Sequence, residues 1–123
     1  MKRFIVAAVD DLFFQAKIRA AAEHLNAIVR FARSVPEVME LAHEELPMLI
    51  VVDLHAHKFD PLQLARELKA DEARKHIPLL GFYSHVEAQL RRRAIEAGYK
   101  QVIARSAFAK NLADILQPDA NSL

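Results

Sequence analysis

The 123-residue sequence has no cysteine and no tryptophan, only two glycines, and no long apolar run. Without thiols there are neither disulfides nor thiolate metal sites, which suits a reducing compartment. The two glycines, Gly81 and Gly98, stand far apart. A glycine-rich phosphate loop and a dinucleotide fingerprint each need several glycines close together, so both are excluded. No nucleophile elbow is present either, and nothing points to an enzyme. A membrane helix needs ~20 consecutive apolar residues. The opening MKRFIVAAVDD is apolar only from Phe4 to Val9 before two acids, which is also too short for a signal segment. Charge is nearly balanced, with 17 Lys and Arg against 16 Asp and Glu. Direct nucleic-acid binding, which rests on many phosphate contacts, is therefore not expected. These absences describe a soluble cytoplasmic protein with no membrane partner.

What the sequence does have is a repeated alternation. FIVAAV (Phe4–Val9), AIVRFA (Ala27–Ala32), MLIVV (Met48–Val52), IPLLGF (Ile77–Phe82) and QVIA (Gln101–Ala104) read as five strands. Their unbroken apolarity predicts a parallel sheet covered on both faces. Between them lie helix signals. Ser34-Val-Pro-Glu37 and Ser84-His-Val-Glu87 fit capping boxes, Asp60 precedes a proline at the first helical position, and Ser106 is placed to cap the last helix. Gly98 follows RRRAIEA as a helix stop, and Phe14, Ile18, Ala22 and Leu25 form a helical stripe. The pattern predicts a doubly wound α/β domain over residues 1–117 and a tail over 118–123.

In an open parallel sheet, ligands bind beyond the carboxyl ends of the strands, where the strand order reverses. Asp10 and Asp11 end the first strand and Asp53 ends the third. If those strands are neighbours, three carboxylates converge, and such a cluster calls for a hard cation such as Mg²⁺ or for protonation. Helix capping is the alternative for each acid, and it suits Asp11 well. Asp53 has less need of it, because Asp60 already precedes the next helix. His55 and His57, with Asp53, offer a different metal set of imidazole and carboxylate for Zn or Fe, which His85 beyond the fourth strand would extend. Two solvated histidines are the plainer reading.

Taken in order and spacing, these residues resemble the receiver domain of bacterial two-component response regulators over nearly the whole chain. FDPLQLARELK is similar to the segment that leads into that family's third helix, and EAGYKQVIARSAF to its approach to the end of the fifth strand. The resemblance implies a flavodoxin-like sheet of order 2-1-3-4-5. It also implies Mg²⁺ held at Asp10, Asp11 and Asp53, and a phosphoryl group accepted on Asp53 from a histidine kinase or phosphotransfer protein. Two signature positions differ. The family's Thr or Ser falls on Tyr83, with Ser84 next to it, and its Lys falls on Arg105, followed by Ser106 rather than Pro; the aromatic switch position falls on Val102.

A phenol cannot reach the phosphoryl site as a Thr hydroxyl does. Ser84 would face the other side of the sheet from Tyr83 and has a capping role open to it. Arg105 keeps the charge but not the shape of a lysine. Either it forms a standing pair with Asp53 or it lies on the surface. Three function classes follow: a stand-alone receiver with an altered switch, a phosphorylation-independent docking module, or a small metal-binding protein using Asp53, His55 and His57. Arg91, Arg92 and Arg93 form the one strong charge cluster. They read either as a solvated helix face or, by the resemblance, as part of a helix 4–strand 5–helix 5 surface for an acidic partner or a second copy of the chain.

Overall fold

The computed structural model describes residues 3–56, 59–84 and 87–117. The chain runs β1 (Arg3–Ala8), α1 (Leu12–His24), β2 (Ala27–Phe31), α2 (Val35–Glu44), β3 (Leu49–Asp53), α3 (Pro61–Lys69), β4 (Leu79–Tyr83), α4 (Ala88–Ala97), β5 (Gln101–Ala104), α5 (Arg105–Lys110) and α6 (Leu112–Ile115). The strands pair in parallel in the order β2-β1-β3-β4-β5, as the sequence implied. His57, His85 and the tail at 118–123 lie outside the described residues. Among the described residues, no helix is long and apolar enough to cross a membrane.

Alternation along the strands divides the core. Phe4, Val6, Ala8, Ile50, Val52, Leu79 and Val102 face α2, α3 and α4. Ile5, Ala7, Val9, Leu49, Val51, Leu80 and Phe82 face α1, α5 and α6. Two covered faces explain why the strands are apolar without a break. Burying each large side chain stabilises the fold by about 1.5–3 kcal/mol. The predicted stripe on α1 is correct: Phe14, Ile18 and Ala22 are buried and Leu25 packs beside them.

Three of the helix starts and stops follow the predicted chemistry. The Ser34 hydroxyl accepts from the Glu37 N–H at 3.2 Å. The Asp60 carboxylate accepts from Leu62 and Gln63 at 3.1 and 3.0 Å, with Pro61 opening α3. Gly98 closes α4 at φ 125°, a left-handed conformation that side chains disfavour. Two caps are corrected. Ser84 does not cap α4, which begins at Ala88 behind Glu87 with no side-chain cap bond. Ser106 sits inside α5, because β5 passes directly into that helix through Ala104. The strands also shift at their ends. β4 begins at Leu79 rather than Ile77, whose N–H closes a turn on Arg74 O. β3 extends through Asp53, which makes that acid the last residue of the strand.

Candidate functional site

β1 and β3 are neighbours, and the chain order reverses between them, so their carboxyl ends frame the crevice expected of this topology. Asp53 stands there with the side-chain parity of Leu49 and Val51, on the α1/α5 side of the sheet. It is 6% exposed and is the one buried charged residue among those described. Its Oδ1 accepts from the His55 N–H at 2.9 Å, while Leu54 continues the sheet ladder by donating to Phe82 O at 2.9 Å. Burial pushes the Asp53 carboxyl above its ordinary value. The His55 N–H and the charge of Arg105 oppose that rise, and the charge of Asp10 adds to it.

Asp11 has two partners. Oδ1 accepts from the Phe14 N–H at 3.1 Å and so caps α1, as foreseen. Oδ2 accepts from Arg105 Nη2 at 2.7 Å. The Phe14 N–H first, and the guanidinium second, hold the Asp11 carboxyl below its ordinary range. Asp10 is exposed at the same edge. The sequence left Arg105 either on Asp53 or on the surface. Instead it is half-buried and paired with Asp11, while its charge still reaches Asp53.

An aromatic bed sets that choice. The guanidinium carbon of Arg105 lies 4.1 Å from the centre of the Phe14 ring. Phe14 stacks on Phe82 at 5.6 Å and on Phe108 at 6.2 Å, and Phe82 and Phe108 stack at 4.4 Å. A cation over a ring gains ~0.5–2 kcal/mol depending on desolvation. The platform therefore draws Arg105 toward α1. In the sequence Phe14 belongs to an apolar stripe, and no signal there marks it as a seat for a cation.

Tyr83 and Ser84 part ways. Tyr83 packs on the α2/α3/α4 side of the sheet, where it lines a surface hollow with Ala88, Arg91, Arg92, Ile95 and Glu96. The Ser84 hydroxyl takes a long contact of 3.4 Å from Arg105 Nη1. Ser84 therefore belongs to the crevice and Tyr83 to the helix surface beside it. Val102 is buried against that same helix side.

Asp10, Asp11 and Asp53 supply oxygen donors of the kind Mg²⁺ takes. Their arrangement does not fit the ion. Among the described residues, no three His, Asp or Glu groups are placed to hold a metal, and Arg105 already occupies Asp11. Of the set Asp53, His55 and His57, His57 lies outside the described residues, and the backbone N–H of His55 donates to Asp53.

No protein-family profile matches the chain, and no curated protein does. Solved structures do. A CheY-like response regulator receiver domain protein from Methanospirillum hungatei aligns with TM-score 0.84 at 13% identity, covering 99% of this chain and 96% of that one. The chemotaxis response regulator CheY4 of Vibrio cholerae aligns with TM-score 0.82 at 13% identity over 96% and 98%. The phosphorylated cyanobacterial phytochrome response regulator RcpA aligns with TM-score 0.79 at 22% identity over 96% and 91%. With its strand order, its two-sided core and its acids at the β1/β3 edge, the chain has the fold of response regulator receiver domains.

Proposed function

We propose that this chain is a signal-relay receiver whose phosphoryl acceptor is Asp53. The observation that carries the reading is the position of that carboxylate: the one buried acid among the described residues, at the end of β3 beside the reversal in strand order. A carboxylate oxygen of Asp53 would attack the phosphorus of an acyl phosphate or phosphohistidine donor. The donor's bond to phosphorus breaks, and acetate or the imidazole leaves. Arg105, whose charge reaches Asp53, would help to balance charge on the transferred oxygens, with the Ser84 hydroxyl beside its guanidinium. The donor in the cell would be a histidine kinase or phosphotransfer protein. The α4–β5–α5 side, with its arginines and the Tyr83 hollow, is the surface proposed for a downstream partner or a second copy.

Incubation with acetyl phosphate, followed by borohydride reduction and peptide mapping, tests the assignment, because borohydride converts an aspartyl phosphate to homoserine. Homoserine at position 53 is the expected result. Its absence, or its appearance at another aspartate, would overturn the assignment.

A second reading has one observation in its favour. The Arg105–Asp11 pair already satisfies part of the charge that a phosphoryl group or a cation would otherwise balance. A domain with its crevice closed in this way would work by docking alone, without phosphorylation.

A further inference from the structure

The donor set at the strand ends suits a divalent cation in kind but not in arrangement, and Arg105 lies among its members. Its guanidinium bonds Asp11 at 2.7 Å, contacts Ser84 at 3.4 Å and lies 4.1 Å above the Phe14 ring. Three independent contacts hold one side chain that is 34% exposed. The planar head suits this arrangement, because one face can lie on the ring while the edges donate to Asp11 and Ser84. A compact ammonium has no such face.

We infer that the Arg105 guanidinium is the resident cation of the crevice, and that a divalent cation can bind Asp11 only by displacing it. Arg105 thus acts as an autoinhibitory plug. It neutralises part of the acid cluster, removes one oxygen donor and repels a second positive charge. The inference deepens the receiver reading, from which it takes the crevice as the place of function, but its test does not depend on phosphoryl transfer. Metal occupancy becomes conditional on where one side chain lies. A phosphoryl group or an acidic partner residue that draws Arg105 off Asp11 would open the metal position.

The test is titration of the full chain with MgCl₂ at constant ionic strength, followed through the backbone amides of Asp11 and Asp53. Arg105→Gln removes the charge. Arg105→Met also removes it while keeping an aliphatic cover over Phe14, and it stands in if the Gln variant does not fold. Losing both the competing ion pair and the like-charge repulsion should tighten Mg²⁺ binding by about tenfold or more. Adding Asp11→Asn to the Arg105 variant should cancel the gain while leaving α1 capped, since Asn caps as well as Asp. Arg66→Gln, which removes an exposed charge on α3, should change nothing.

A clearly smaller gain overturns the inference, as does failure of any of these proteins to bind Mg²⁺. A gain that survives Asp11→Asn, or that Arg66→Gln reproduces, overturns it too. The two readings fail separately. Equal Mg²⁺ affinities in a protein that takes up phosphate would sink the plug and leave the receiver. A tenfold gain in a protein that never takes up phosphate would do the reverse.

Discussion

Asp53 carries a burden that the apolar residues around it do not. It is buried, it faces the charge of Asp10, and its carboxyl is held above the ordinary 3.8, with burial the largest cause. The native state therefore keeps a proton that the unfolded chain releases. The stability linked to that proton is fully present below pH 3.8 and is lost as pH rises through the higher native value. Above that window the buried charge is a standing cost. Asp53→Asn removes the charge and keeps an oxygen for the His55 N–H. The variant should be more stable than the parent at pH 7, on the order of 0.5–2 kcal/mol, because it buries no charge. Each kcal/mol corresponds to roughly 4 °C in a domain of this size. Melts from pH 3 to 7 check the sign, since the advantage should shrink as the pH falls toward 3.8. A lower melting temperature for the variant at pH 7 would show that the charged carboxylate is satisfied. The place of Asp53 was legible in the sequence, because a parallel strand ending in an acid delivers it to the carboxyl edge of the sheet. The partner of Arg105 was not. Asp11 and Asp53 both lie within its reach, and the choice depends on Phe14, whose ring position only the packed fold defines.

The elements show which local signals survive folding. Ser34 and Asp60 cap as the sequence suggested, because in both places the chain arrives extended and turns directly into a helix. Ser84 and Ser106 carry the same chemistry but not the same backbone. One precedes a helix that starts later, at Ala88, and the other lies within a helix entered straight from a strand. Side-chain type alone cannot tell these cases apart. Gly98 can be judged more firmly, because two constraints coincide there. Its φ of 125° is one that residues with a side chain rarely adopt, and an added Cβ would push the flexible Lys69 side chain of α3 aside. Gly98→Ala should therefore lower stability by roughly 1 kcal/mol or more. A urea midpoint shifted down at unchanged slope would confirm this, and an unchanged midpoint would show that α4 can end elsewhere. The Tyr99 hydroxyl, which donates to Pro61 O at 2.8 Å, ties the same α4–β5 corner to the start of α3.

At the scale of the whole molecule, the arrangement outlasts the sequence. Structures with the same fold share as little as 12% identity with this chain, and yet five parallel strands with acids at two of their ends were legible from the spacing of apolar runs, while the order of the strands followed only from the resemblance to receiver domains. That is because two covered sheet faces need only apolar residues of suitable size, which many sequences supply. The departures fall where the core makes no such demand, at strand ends and helix starts. Tyr83 turns toward α4, Ser84 approaches Arg105, and Arg105 settles on Asp11. If the molecule is a receiver, these three residues separate its chemistry from its fold. Intact mass decides the matter. The full chain and its Asp53→Asn variant are incubated in parallel with acetyl phosphate, with and without Mg²⁺. A mass gain of one phosphoryl group in the parent and none in the variant is the expected result. No gain in the parent under either condition, or an equal gain in both proteins, would contradict Asp53 as the acceptor.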